Sequence, residues 1–151
     1  MAPPKDATVL LALADRCERE GPSPDLDKTI YAAMDFCLHE KTTYSGAQSD
    51  TGFTCDNCHA DSWGNRSNNG KNQRLHDRVI AYTTSLDAAV TLVPEGHNGS
   101  VYWSCEAERT AVHLEPRKGR MSDGMARTHA LALCAAALRA RAAVLEQEGA
   151  R

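Results

Sequence analysis

The chain has 151 residues, with 17 Lys and Arg against 20 Asp and Glu, a formal net charge of −3 and 25% charged residues. That balance excludes a global attraction to nucleic acid or to an anionic membrane surface, so any such contact has to be local. A chain of this length suits one core burying about 70% of its unfolded surface, and residues 1–151 are read as a single domain with an insert loop at 40–78.

The apolar run Val9 to Ala14 is short, meets Asp15 and Arg16, and has no small-residue cleavage site behind it, so it is not a secretory signal. No stretch reaches the roughly 18 apolar residues that would span a bilayer. The expectation is a cytoplasmic protein that makes no membrane contact. Its six cysteines would then stay reduced unless a metal or a catalytic cycle uses them.

In the first predicted helix Leu10, Leu13, Ala14 and Cys17 recur at spacings of three and four, and Gly21-Pro22 ends it. A second starts at "SPDLDKTIYAAMDFCL", with Ser23 as cap, Pro24 at the first helical position and Asp25 and Asp27 at the positive end of the dipole. Leu26, Ile30, Ala33 or Met34, and Cys37 form its buried face, and the two helices read as a hairpin. From Glu40 to Arg78 periodicity gives way to Ser, Asn, Gly and Thr. A patternless loop of this length inside a compact domain signals function, disorder or a hidden staple.

Beyond the loop, Val79 to Tyr82 reads as a short strand and "TTSLDAAVTLVPEG" as a helix, capped by Thr84 with Asp87 at the third helical position and ended by Pro94 and Gly96. "SVYWSCEAERTAVHLEP" alternates as a β-hairpin, with Val101, Trp103 and Cys105 on one face and Thr110, Val112 and Leu114 on one face of the second run. "RKGRMSDG" reads as a polar loop. The last helix opens at Thr128, with Leu131, Cys134, Leu138 and Leu145 inward and Arg139 and Arg141 facing more outward. Helices segregated from a small antiparallel sheet make the fold class α+β.

The chemistry concentrates in "TGFTCDNCHADSWGN". Cys55 and Cys58 are spaced to let both thiolates reach one tetrahedral zinc, while the amides between them point at the sulfurs. One knuckle is half a site. Cys37 and His39 complete a four-ligand set that would pin the long loop, with His59 and His76 as other candidates. Such a closed zinc site is structural, because it keeps no open position for a substrate. Three other readings stand beside it: two ordinary reduced cysteines, a redox pair lacking the helix N-terminus that would lower a thiol pKa, and a CxxCH haem anchor lacking an export signal.

The run after the knuckle carries Arg66, Lys71, Arg74 and Arg78 among amides, with Trp63 before it. Cations around one aromatic suit phosphate binding or base stacking, and a solvated loop is the plain alternative. Ser85 lacks a glycine-framed elbow and a nearby base, and His113 and His129 read as surface or hydrogen-bonded residues. Cys17, Cys105 and Cys134 fall at apolar positions. With no paired carboxylates, phosphate-cradling glycine loop or HExxH, the reading is non-catalytic.

Three segments together, "LLALADRCEREGPSPDLDKTIYAAM", "YTTSLDAAVTLVPEG" and "THALALCAAALRARA", resemble the phage ABA sandwich domain family. The resemblance covers residues 8–34, 82–96 and 128–142, and residues 40–78 depart from it. It implies an alpha-beta-alpha sandwich and an origin as a small phage or prophage accessory protein in the cytoplasm of a bacterial host, and it assigns no catalytic residue. The leading functional expectation is action by binding, as in counter-defence through sequestering a nucleotide-like signal or blocking a host protein. A zinc-stapled module for nucleic acid or protein is the alternative, and an unrecognised hydrolase or transferase the third. The alanine-rich last helix also suits a homo-oligomer.

Overall fold

The structure is a computed structural model and describes residues 6–44, 53–60, 73–74, 77–104 and 108–150. Among the described residues four helices and two small antiparallel sheets make an α+β fold. Two compact units divide the chain: residues 31–80 form the smaller, and residues 3–30 with 81–151 form the larger. Among the described residues no helix is long and apolar enough to cross a membrane.

The larger unit is built on its last helix. Helix α1 (Ala7–Arg19) is capped by Asp6, whose carboxylate accepts from the Thr8 N–H at 2.8 Å, and it buries the expected stripe Leu10, Leu13, Ala14 and Cys17. Helix α2 (Pro24–Ala33) is capped by Ser23, whose hydroxyl accepts from the Leu26 N–H at 3.1 Å. The expected α1–α2 hairpin does not form, because α1 turns its stripe to the last helix. Leu26 and Ile30 are fully buried, and the start of α2 is clasped to the turn at 82–84: Asp27 accepts from the Thr83 N–H at 2.7 Å, and the Thr83 hydroxyl accepts from the Ser23 N–H at 3.2 Å.

Residues 79–81, expected to open a strand, have no regular structure. Helix α3 (Leu86–Val90) is capped by Ser85, which accepts from the Ala88 N–H at 3.2 Å. The cap therefore lies one residue beyond Thr84, and Asp87 becomes the second helical residue. A β-hydroxyl serves either position, and the sequence pattern does not choose between adjacent ones.

Strands β3 (His97–Ser104) and β4 (Arg109–Pro116) form the expected antiparallel hairpin. The stretch taken for a polar loop supplies a third strand, β5 (Ser122–Ala126), paired to β4 with Val112 opposite Gly124. Its inward residues are Ser122, Gly124 and Ala126, too small and polar to announce a strand. Val112, Leu114 and Thr110 are buried as expected, whereas Val101 and Trp103 on the outer strand are exposed, Trp103 by 71%.

Helix α4 (His129–Gly149) is capped by Thr128 and buries every residue from Ala130 to Leu138. Such a helix has a partner on each side: here α1, α3, and the inner face of β4 and β5. The alanines serve this packing, since a Cβ added at Gly124 would fall onto the Ala132 carbonyl oxygen and lie 2.6 Å from the Ala136 nitrogen. Arg139 and Arg141 are half-buried rather than outward: Arg139 binds Glu18, Asp15 and the Asp123 carbonyl, and Arg141 donates to the Leu92 carbonyl at 2.5 Å. Long guanidinium side chains can lie along a packed helix face while their heads find acceptors at its edge.

Candidate metal centre

The centre lies in the smaller unit. Helix α2 stops before Cys37, because Asp35 turns to a positive φ of 66° and the Met34 and Phe36 N–H groups both return to the Tyr31 carbonyl at 3.2 Å. Tyr31 and Phe36 stack with ring centroids 4.5 Å apart. Cys37 is thus not on the helix face where periodicity placed it, and His39 lies six residues past the helix end, in left-handed backbone with φ 53°.

Within the stretch read as patternless, β1 (Thr42–Tyr44) pairs antiparallel with β2 (Phe53–Cys55), setting Thr42 opposite Cys55. The ladder ends in the knuckle. The His59 N–H donates to the Cys55 carbonyl at 2.9 Å and the Cys55 N–H to the Ala60 carbonyl at 3.0 Å, which folds Cys55 to Ala60 into a tight turn. His59 makes that turn with φ 58°, in a conformation that glycine adopts at least cost.

These two pieces bring the Cys37, Cys55 and Cys58 sulfurs and one His39 ring nitrogen within 4.8 Å of one another. Cys37 Sγ is 3.6 Å from Cys55 Sγ, and Cys58 Sγ is 3.5 Å from His39 Nδ1. A tetrahedral zinc with ordinary Zn–S and Zn–N bonds needs donor separations of about 3.5–3.8 Å along its edges. These two pairs meet that requirement. Cys55 and Cys58 are buried, and Cys37 and His39 half-buried.

Electrostatics at the three thiols divide by what surrounds each sulfur. Burial pushes the Cys37 thiol up to about 12, with the His39 N–H, 3.4 Å from its sulfur, working against it. Cys58 is likewise raised, by burial first. Burial also opposes ionisation at Cys55, yet backbone N–H groups of Cys58 and Asn57 and the neighbouring thiols outweigh it and hold Cys55 below its ordinary value. A divalent cation among these sulfurs would reverse the cost of charging them, because thiolates bind metal and thiols do not.

One supporting residue had no signal in the sequence. The Gln73 side chain is buried, accepts from the Cys37 N–H at 2.7 Å, and donates to the Cys37 carbonyl at 3.0 Å and the Tyr31 hydroxyl at 2.8 Å. It grips the Cys37 backbone on both polar groups. Only its place among charged neighbours in a polar run was visible beforehand, and nothing in that pattern marks burial.

His59, the adjacent alternative ligand, is exposed and stays outside the donor cluster. His76 lies outside the described residues, as do Trp63, Arg66 and Lys71 of the expected basic surface. Arg74 and Arg78 are exposed, and the Arg74 N–H is bound to the Asp77 carboxylate at 2.7 Å. Cys17 and Cys134 are fully buried, and Cys134 donates to the Tyr82 carbonyl at 3.4 Å, while Cys105 lies outside the described residues. His113 Nδ1 is 2.5 Å from the Asp123 carboxylate, and His129 is exposed at the start of α4.

No family model, curated protein or solved structure matches this chain.

Proposed function

We propose that this protein is a small zinc-stapled interaction module that acts by binding rather than by turnover. The supporting observation is the convergence of Cys37, His39, Cys55 and Cys58, four donors of the types zinc prefers, from two separate stretches of chain. Four protein ligands close a tetrahedral site, so the ion would act as a structural tie and leave no position for a substrate.

The tie would hold out the β1–β2 ladder, where Tyr44 and Phe53 sit directly opposite one another, 68% and 43% exposed, with rings 5.5 Å apart and edge to face. Two solvent-facing aromatics in a unit that also exposes Lys41, Arg74 and Arg78 suit the bases and phosphates of a single-stranded nucleic acid. The resemblance to phage accessory proteins supports a setting for such a module, in a bacterial cytoplasm. Sequestering a nucleotide signal or blocking a host protein remains a proposal drawn from that resemblance.

Elemental mass spectrometry of the purified protein tests the staple, with a Cys55→Ser and Cys58→Ser double variant as control. About one zinc per chain, lost in the variant together with melting temperature, supports it. Absence of metal after reconstitution with zinc overturns it. Fluorescence anisotropy with a short oligonucleotide tests the partner: binding should weaken steeply with salt and fall in Tyr44→Ala and Phe53→Ala. A shallow salt dependence with both variants unchanged would point to a protein partner instead.

A further inference from the structure

The larger unit holds a pocket that the metal centre does not explain. Its volume is about 270 Å³, and it opens where the end of β4, the loop into β5 and the C-terminal half of α4 meet the residues entering β3. Arg117, Lys118 and Arg120 line it on one side, and Ala140, Ala143 and Val144 line it from α4.

Three observations bear on what it would take. All three cations are exposed, and among the described residues none forms an ion pair, although Arg16 and Arg139 in the same unit are both paired with carboxylates. Among the described lining residues Glu95 is the only carboxylate, so their charge is net positive in a chain whose formal charge is −3. The loop is bent by Gly119 at φ 127°, and a Cβ there would lie 3.4 Å from the Gln147 amide nitrogen and 3.5 Å from Pro116, both lining residues. Only glycine holds that backbone without strain.

We infer that this pocket is a binding site for a small organic phosphate. Two guanidiniums and an ammonium on one short loop offer the forked and single donors that phosphate oxygens accept. Pro116, Val144 and the alanines give the organic part an apolar wall. His97 stands at the rim, its Nδ1 3.4 Å from the Glu95 carbonyl; since a carbonyl only accepts, Nδ1 carries the proton in that contact. The volume lies just below the usual range of about 300–1,000 Å³ for ligand sites, which fits a small phosphate compound partly open to solvent and not a polymer.

The test is isothermal titration of the full chain at low salt with AMP, inorganic phosphate and pyrophosphate as probes, repeated on an Arg117→Gln and Arg120→Gln double variant. Both substituted residues are exposed, so the fold should survive, and circular dichroism checks that it does. Saturable AMP binding, competed by pyrophosphate and weakened at least about tenfold in the variant, is expected. Lys118→Gln should lower affinity in the same direction. No saturable AMP binding, binding of phosphate without AMP, or equal affinity in the folded double variant would each overturn the assignment.

Discussion

Arg139 of α4 and Glu18 of α1 are joined by two hydrogen bonds, of 2.5 and 3.0 Å, although 121 residues separate them in sequence. The same guanidinium reaches the Asp15 carboxylate and the Asp123 carbonyl at 2.8 Å each, and Glu18 accepts from the Met125 N–H at 2.9 Å. One arginine therefore ties α1, α4 and β5 at a single point.

Replacing Arg139 by Met should keep the buried stem and remove the fork. The pair is only partly shielded, each side chain being 26% exposed, so the loss should be moderate, about 1–3 kcal/mol. Urea denaturation measures it, and an unchanged midpoint would show the network to be ornamental.

The same pair sets a response to acid. The Arg139 hydrogen bond holds the Glu18 carboxyl below its ordinary range against burial, with help from the Met125 N–H. A group whose folded value is depressed adds stability that is fully present above its unfolded value, about 4.3, and is lost as pH falls through the folded value. Melting temperature should therefore fall as pH drops from about 5 towards the folded value, and Glu18→Gln should flatten that part of the profile.

At Gly124 the β5 backbone comes close to α4. Alanine there would place its Cβ against the Ala132 carbonyl and 3.0 Å from the Ala135 Cβ, contacts that only a shift of helix or strand can relieve. Gly124→Ala should cost at least about 3 kcal/mol or prevent folding. Gly21→Ala is the control, since nothing lies within 4 Å of a Cβ there.

How much of this was legible depended on whether the signal was periodic. Leu10, Leu13, Ala14 and Cys17, and later Val112 and Leu114, lie where their spacing puts them because a long amphipathic stripe or a strict alternation has one buried face. Strand β5 was missed because its inward residues are Ser, Gly and Ala, chosen for how close α4 comes, and closeness is a tertiary property. The ligand set could be proposed from residue type. What brings it together, the left-handed turns at Asp35, His39 and His59 and the Gln73 clamp, involves residues whose conformation no local pattern announces.

Gln73 should matter through Cys37. Gln73→Leu keeps similar bulk but leaves the Cys37 N–H and carbonyl without their amide partner, and loss of such an outer partner typically weakens a metal site about 10–100-fold. Competition with a chromophoric zinc chelator would detect this. Equal affinity would mean that the rest of the unit positions Cys37 without help.

At His59 the backbone carries strain that the side chain does not repay through metal binding. His59→Gly should retain zinc and hold or raise the melting temperature, and His59→Val should lower it by the equivalent of about 1–2 kcal/mol, because a β-branched residue tolerates positive φ poorly. Loss of zinc in His59→Gly would instead make His59 a ligand.

The clasp of Thr83 by Ser23 and Asp27 settles where the polypeptide departs from and rejoins the larger unit. Within the larger unit these hydrogen bonds hold the start of α2 beside Thr83, so the length of the intervening stretch bears weakly on that unit: doubling such a segment adds only about 0.6 kcal/mol of closure entropy. A segment of quite different length could be spliced between the end of α2 and Ala81 with α1, α2, α3, α4 and the three-stranded sheet left to fold as before.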